Sequence, residues 1–145
     1  MSTPTYTIQT GYSNMDIDAI HRFLTTESYW AKGIPRETVD NALRHSLCIG
    51  VFLNGQQIGF SRLITDYTTF AYLADVYVEP GHRGKGLSKR MMKHIMEQEF
   101  VNRLRRIVLA TDDAHGLYRQ FGFQSPENPE TLMEIRRKNL YTLTG

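Results

Sequence analysis

The stretch VYVEPGHRGKGLS, residues 76–88, joins an apolar strand pattern to a glycine-rich loop and then to the start of a helix. Glycines allow backbone N–H groups to converge on an anion, because no Cβ atom blocks the approach. The helix N-terminus adds a partial positive charge that favours an anion by about 0.3–1 kcal/mol. Arg83, Lys85 and Lys89 supply full positive charges beside it. The stretch therefore predicts a phosphate-binding loop.

The spacing of the glycines argues against two common phosphate-binding motifs. A P-loop requires Gly, four residues and then Gly-Lys-Ser/Thr, which no glycine here satisfies. A dinucleotide fingerprint requires Gly-x-Gly-x-x-Gly near the start of the fold, whereas Gly84-x-Gly86 is followed by Lys89 and comes after four strand patterns. Neither a nucleoside triphosphatase nor a Rossmann-type enzyme is expected.

Upstream of this loop, the hydropathy pattern predicts four strands and two helices. Alternation over Thr5–Gln9 indicates a first strand, and apolar residues at helical spacing indicate helices near residues 17–24 and 35–45. The Asn54-Gly55 pair between two apolar runs is the strongest short hairpin pattern. The remaining strands are predicted at Cys48–Leu53, Gln57–Ile64 and Phe70–Val78.

Downstream of the loop, helix and strand patterns alternate. A third helix is predicted because Leu87, Met91 and Ile95 recur every four residues. Strand, glycine loop, helix and strand then make a βαβ unit. The elements predicted after the third helix are a strand at Arg106–Ala110, a short helix at Ala114–Phe121 that stops at Gly122, and a last weak strand at Met133–Arg136.

The bulk composition limits the class of protein. A length of 145 residues suits one domain, which we place at residues 1–145. A net charge of +2, from 17 Lys and Arg against 15 Asp and Glu, gives no reason to expect a nucleic-acid partner. Cys48 is the only cysteine, so neither an intrachain disulfide nor a cysteine-based zinc site is possible, and no metal is expected.

The sequence also contains no pattern that predicts membrane attachment or export. No run of 18 apolar residues occurs, and no charged leader precedes an apolar run at the N-terminus. We therefore expect a cytoplasmic protein with no membrane partner.

Arg83-Gly84-Lys85-Gly86-Leu87-Ser88 resembles the signature of the GNAT acetyltransferase family, which is Arg or Gln, two residues, Gly, one residue, then Gly or Ala. Ser88 departs from that pattern, although a small residue at a helix start still offers its N–H. The stretch Leu117–Phe123, LYRQFGF, is similar to the family's tyrosine helix with its Gly-Phe exit. The order of elements matches the family from Ile8 to about Arg136.

The resemblance implies a fold and an activity. The fold is α/β (α+β), with a mixed, mostly antiparallel central sheet of six to seven strands, about four helices and a V-shaped splay between the fourth and fifth strands. The activity is transfer of an acetyl group from acetyl-CoA, as co-substrate, to an amine acceptor. The amine attacks the thioester directly in a ternary complex, so the enzyme acts chiefly by positioning two bound reactants.

The resemblance also implies which residues bind the co-substrate. It places the pyrophosphate on the loop and the pantetheine along the backbone of Val76 and Val78. It makes Tyr118 both a contact of the co-substrate and the donor to the departing thiolate. The loop residues that would hold the pyrophosphate are Arg83, Gly84, Lys85, Gly86, Leu87 and Ser88.

Two acidic residues, Asp75 and Asp113, each have two possible roles. Asp75 lies within an apolar strand, on the face opposite Val76 and Val78 by alternation, and is either a candidate general base or a salt-bridged carboxylate. Asp113 lies where family members often place a pantetheine contact, but it can equally cap the fourth helix, and the pattern favours the cap. The acceptor pocket is placed by location alone around Glu27, Tyr29, Trp30 and Tyr72.

A different class of function stays open at this point. A non-catalytic acyl-CoA-binding sensor or adaptor would use the same fold, because fold does not imply activity. Tyr118 favours catalysis, since a sensor has no need of a donor beside the thiolate. The apolar segment Leu132–Leu143 could pair with a second subunit, so a homodimer is possible.

Overall fold

The computed structural model describes residues 5–142 as a five-stranded sheet with helices on both faces. The strands lie in chain order: β1 (Tyr6–Thr10), β2 (Leu47–Leu53), β3 (Gln56–Thr65), β4 (Phe70–Val78) and β5 (Arg106–Leu109). The α-helices are α1 (Ile17–Thr26), α2 (Arg36–Arg44), α3 (Leu87–Met96) and α4 (His115–Arg119). Strands β1 to β4 are antiparallel and β5 is parallel to β4, which confirms the mixed α/β class.

The predicted count of six to seven strands is wrong for the described part of the chain. Residues 132–137 belong to neither a helix nor a strand, so Met133–Arg136 does not form the expected last strand. Alternating apolar side chains do not suffice, because a strand needs a neighbour to satisfy its backbone N–H and C=O groups. Leu143, the last residue of the predicted pairing segment, lies outside the described residues.

The hairpin predicted at Asn54-Gly55 is confirmed. Asn54 has φ 52° and Gly55 has φ 79°, and the two residues join β2 to β3. Two consecutive residues in the left-handed region match a type I′ turn, whose twist suits antiparallel strands.

Strands β4 and β5 separate after four paired residues. Their register runs from Phe70 opposite Arg106 to Leu73 opposite Leu109, and β4 then continues to Val78 without β5. The V-shaped splay expected between the fourth and fifth strands is therefore present. Its opening exposes one edge of the second half of β4.

A β-bulge changes the alternation of side chains along β4. Phe60 pairs with Tyr77, whereas Arg62 pairs with Ala74, so β4 has one extra residue at this point, and Asp75 has φ 55°. Simple alternation from Leu73 would direct Asp75 into the core below α3. The bulge instead places Asp75 on the opposite face from Val76 and Val78, as predicted.

The core is divided between the two faces of the sheet. On one face, α3 packs against β2 to β4 through residues that include Met91, Ile95 and Leu63. On the other face, α1 and α2 cover β2 to β4, and Phe23 stacks on Tyr77 with ring centroids 3.8 Å apart. None of the helices between residues 5 and 142 has the length and hydropathy that a membrane-spanning helix requires.

Candidate functional site

The glycine loop after β4 presents unpaired backbone N–H groups. Gly84 has φ 78° and Gly86, the N-cap of α3, has φ 73°, a region that residues with a Cβ rarely adopt. Within the described chain, the N–H groups of residues 84–89 donate no hydrogen bond to another residue. Such a set of donors at the N-terminus of a ten-residue helix fits an anionic phosphate.

The charged side chains of this loop surround the same N–H groups. Arg83 Nε donates to the Val78 carbonyl oxygen at 2.8 Å, which joins the loop to the end of β4. Arg83, Lys85 and Lys89 are all exposed. Leu87 is buried below the loop, where it anchors the first turn of α3 in the core. The loop is thus cationic on its outer side and fixed on its inner side.

Val76 and Val78 line the splay through their backbones. Their side chains pack into the core on the α3 side, so the chain itself remains at the strand edge. The Val78 carbonyl already accepts from Arg83. The predicted pantetheine contacts therefore lie between the loop and the point where β4 leaves β5.

Tyr118 is buried in α4 with 7% of its surface exposed. Its ring meets Phe123 edge-on with centroids 6.0 Å apart. Among residues 5–142, no side-chain partner binds its hydroxyl, so the O–H remains available to a ligand. The pKa of Tyr118 is raised, chiefly by burial. The negative charge of Asp113 and the nearby Tyr29 add to this increase. The phenol is therefore protonated at neutral pH and able to donate.

Both oxygens of the Asp75 carboxylate are already bound by neighbouring side chains. Arg62 Nε donates to one oxygen at 2.6 Å, and Trp30 Nε1 donates to the other at 2.7 Å. Arg62 also donates to Ser46 Oγ at 3.1 Å. Of the two interpretations of Asp75, the structure displays the salt-bridged carboxylate.

The connection between α1 and α2 lies next to the connection between β5 and α4. Tyr29 in the first connection has a raised pKa, through burial first and then the negative charges of Asp112 and Asp113 in the second. Tyr29 and Trp30 are 68% and 42% exposed and meet edge-on at 5.0 Å between centroids. The aromatic pair therefore faces solvent near Tyr118.

The other two predicted pocket residues, Glu27 and Tyr72, are not part of this aromatic pair. Glu27 is exposed at the C-cap of α1, before this aromatic pair. Tyr72 is half-buried in β4 between Ile64 of β3 and Val108 of β5. Among the four predicted pocket residues, only Trp30 forms a hydrogen bond to Asp75 in the described part of the chain.

The preferred role of Asp113 as a helix cap is wrong. The N-cap of α4 is Ala114, and the side chain that accepts from the Ala114 N–H is Thr111, at 3.0 Å from its Oγ1. The helix starts at His115, one residue later than predicted, so the hydroxyl three residues before Ala114 is correctly placed and the Asp113 carboxylate is not. Asp113 is exposed.

Arg62 is the residue of the site that the sequence analysis missed. It is a cation inside the apolar run of β3, and Asp75 is an anion inside the apolar run of β4. Two opposite charges in neighbouring apolar strands were the available indication of an ion pair. In the described part of the chain, no group of three or more His, Cys, Asp or Glu residues could hold a metal ion.

Comparison with known proteins agrees with this geometry. The model of the acetyltransferase (GNAT) family matches residues 17–123. A Gibberella zeae protein provisionally named an acetyltransferase is 32% identical over 133 residues, covering 78% of this chain and 75% of its own. Residues 17–123, which the family model matches, include the loop, the splay and Tyr118.

Solved structures share the fold. A Xanthomonas campestris pv. campestris protein, provisionally assigned to the GNAT acetyltransferases, is 48% identical with a TM-score of 0.92, covering 97% of this chain and 99% of its own. A Clostridium acetobutylicum protein described as a predicted acetyltransferase, whose crystal structure contains acetyl-CoA, has 15% identity and a TM-score of 0.64, covering 91% of this chain and 96% of its own. The loop geometry, the splayed sheet and the family match together lead to one conclusion: this chain belongs to the GNAT acetyltransferase family.

Proposed function

We propose that this protein transfers an acetyl group from acetyl-CoA to the amine of an acceptor. The observation that carries the proposal is the row of unpaired N–H groups over residues 84–89, at the end of the splay between β4 and β5. These donors, with Arg83 and Lys85, would hold the pyrophosphate. The free edge of β4 at Val76 and Val78 would accept the pantetheine amides.

The residues around the splay suggest how the transfer proceeds. The acceptor nitrogen attacks the thioester carbonyl carbon, the C–S bond breaks, and its electron pair goes to sulfur. Tyr118 donates a hydrogen bond or its proton to that sulfur, and solvent later restores the proton. The surplus proton on the nitrogen leaves to water or to a carboxylate at the entrance. Holding both reactants in line supplies most of the rate enhancement.

No covalent acetyl-enzyme is needed in this scheme. Cys48, the only cysteine, is fully buried and donates weakly to the Leu43 carbonyl. Burial raises the pKa of the Cys48 thiol to about 11, so the nucleophilic thiolate is scarce at neutral pH. The thiol thus lacks both the access and the ionisation that an acyl carrier requires.

The cluster of Asp75, Arg62 and Trp30 supports a positioning role for Asp75 within the same proposal. Asp75 is the candidate general base from the sequence analysis. One of its carboxylate oxygens accepts a hydrogen bond from Arg62, and the other accepts one from Trp30. It would therefore act by holding Trp30 and its loop at the acceptor entrance. The exposed Tyr29 and Glu27 and the half-buried Tyr72 complete the proposed acceptor pocket, and Asp113 would lie beside the pantetheine.

A matched pair of glycine variants tests the loop. Gly86 and Gly55 both have positive φ, 73° and 79°, and an added Cβ at either meets nothing within 4 Å. Gly86→Glu and Gly55→Glu therefore carry similar backbone strain and the same charge, but only the first places a carboxylate beside the proposed pyrophosphate. Calorimetric titration with acetyl-CoA should show affinity about 100-fold weaker, or lost, in Gly86→Glu and near wild type in Gly55→Glu.

The outcomes separate the possible functions. Equal binding by wild type and Gly86→Glu would contradict the loop's role. Binding by wild type without thiol release on any amine of a broad panel would favour the acyl-CoA sensor. Absence of acetyl-CoA binding by wild type would refute the proposed function.

A further inference from the structure

Tyr6, in the edge strand β1, contacts the chain on both sides of the glycine loop. Its hydroxyl and His82 Nδ1 share a hydrogen bond of 2.9 Å, and the two rings meet edge-on with centroids 5.7 Å apart. His82 ends the 3₁₀ turn Pro80–His82, which leads into the loop. The backbone carbonyl of Tyr6 accepts from Arg90 Nη2 at 3.1 Å, in the first turn of α3. One residue thus joins the entry and the exit of the loop to the sheet.

The loop between these two contacts has little support of its own. Gly84 and Gly86 lie in the left-handed region, and in the described chain the N–H groups of residues 84–89 donate to no other residue. Glycine loses more conformational entropy on ordering than any other residue. Buried Leu87 and the bond from Arg83 to the end of β4 fix only the inner side of the loop. The flanks of the loop therefore decide how well its donors are held before an anion arrives.

A second pair of the same chemistry joins β1 to α3 away from the loop. The Thr10 hydroxyl and His94 Nε2 share a hydrogen bond of 2.7 Å. Thr10 is the last residue of β1, and His94 lies in the last turn of α3, at the opposite end of the helix from the glycines. Both histidines are half-buried. The two hydroxyl–histidine pairs therefore differ chiefly in their distance from the proposed phosphate site, which makes the Thr10 pair a reference for the Tyr6 pair.

Donors that are held in place before a ligand arrives bind it at a smaller entropic cost. We propose that Tyr6 is a positioning residue of the phosphate loop: its hydroxyl, through His82, and its carbonyl, through Arg90, hold the loop in the conformation that binds the pyrophosphate of acetyl-CoA. This inference rests on the proposed function. Tyr6 acts through its neighbours, so it contributes to the affinity for the co-substrate and not to the transfer step.

Calorimetric titration with acetyl-CoA compares Tyr6→Phe with Thr10→Val. Each variant removes one hydroxyl–histidine hydrogen bond between β1 and the α3 side and keeps the shape of the side chain. Tyr6→Phe should weaken binding about 5-fold, the factor expected for one hydrogen bond, whereas Thr10→Val should bind like wild type. Urea unfolding should give similar stability losses for both variants. Unchanged affinity in Tyr6→Phe, or an equal loss of affinity in the two variants, would overturn the inference.

Variants of His82 test whether the Tyr6 hydroxyl acts through this residue. His82→Leu removes the hydrogen-bond partner and should weaken acetyl-CoA binding at least as much as Tyr6→Phe. Adding Tyr6→Phe to His82→Leu should then cause no further loss, because the two side chains act as one pair. His82→Asn, whose amide can again bind the phenol, should restore most of the affinity. Additive losses in the double variant would show that the two residues act independently and overturn the pairing.

Steady-state kinetics separates positioning of the co-substrate from a part in the chemistry. In Tyr6→Phe, the KM for acetyl-CoA should rise about 5-fold and kcat at saturating acetyl-CoA should match wild type, because a uniform binding contribution is lost. A fall in kcat with unchanged KM would overturn the positioning role. Wild type that binds acetyl-CoA as tightly as Tyr6→Phe would overturn this inference alone, whereas wild type that binds no acetyl-CoA would refute the proposed function and the inference with it.

Discussion

Burial sets the ionisation of Tyr118, the one tyrosine proposed to act on the leaving group. An ordinary tyrosine has a pKa of about 10 and a thiol about 8.5, so full proton transfer to the thiolate is uphill by roughly 2 kcal/mol. A raised pKa increases that cost but keeps the phenol protonated through the alkaline range. In the proposed reaction, the protonated phenol would donate a hydrogen bond to the developing thiolate, with proton transfer as the bond breaks.

Tyr118→Phe should lower kcat by about 100-fold, since positioned proton donors contribute 10²–10⁴-fold, while acetyl-CoA binding is retained. Because the pKa of Tyr118 is raised, its deprotonation should cause no fall in the wild-type kcat below about pH 10. Thiol release measured from pH 6 to pH 10 checks both statements. Tyr67→Phe, at an exposed turn, serves as control. An unchanged kcat in Tyr118→Phe would remove the residue from the mechanism.

At the scale of the elements, Asp75 joins three segments that are distant in sequence. Its bulged position on β4 turns the carboxylate toward Arg62 on β3 and toward Trp30 in the α1–α2 connection. The Arg62 and Asp75 side chains are only 17% and 11% exposed, so each needs the other for charge compensation. The geometry of the proposed acceptor entrance therefore depends on an ion pair inside the sheet.

Asp75→Ala should destabilise the fold by about 2–3 kcal/mol, because it leaves Arg62 without a counter-charge in a half-buried site. It should also free Trp30, the only tryptophan, whose fluorescence should shift to the red and become more accessible to acrylamide. Asp18→Ala is the matched control. It breaks an ion pair whose members are 53% and 73% exposed, which should cost less than about 1 kcal/mol. Urea unfolding that gives equal losses for the two variants would contradict this account.

At the scale of the whole molecule, the exposed C-terminal arm, residues 124–142, is fixed near its end to the α1–α2 connection. Gly33 has φ 84°, and a Cβ there would lie 2.8 Å from the Tyr141 carbonyl oxygen. The backbones approach so closely that no side chain fits between them. The arm thus reaches from α4 on one side to the proposed acceptor entrance on the other.

Gly33→Ala should detach this end of the arm, because the carbonyl of Tyr141 must move. Limited trypsin digestion should then cleave at Arg136–Lys138 several-fold faster, as read by mass spectrometry. Gly11→Ala also strains a positive φ, 105°, but its Cβ would approach only Asn14 Nδ2, at 4.0 Å, so its cleavage rate should match wild type. Equal acceleration in both variants would point to general destabilisation and contradict specific anchoring.

Local patterns predicted much of this architecture. The Asn54-Gly55 pair predicted a tight turn, and the spacing of Leu87, Met91 and Ile95 predicted a helix with one buried face. Both predictions depend only on residues close together in sequence. The glycine-rich loop at residues 84–89 could also be predicted from the sequence, because glycine conformations and a helix N-terminus depend on only a few neighbouring residues. The family followed from that loop and from the stretch around Tyr118.

Contacts between distant residues settled the rest. The bulge at Asp75 arises from its pairing with β3, and the Trp30 hydrogen bond needs the α1–α2 connection folded over β4. Helix α4 starts one residue later than predicted, so the Ala114 N–H donates to Thr111 and the Asp113 carboxylate caps nothing. The missing sixth strand has the same cause. A strand exists only when another backbone lies beside it, and alternation along residues 133–136 carries no information about whether that neighbour is present.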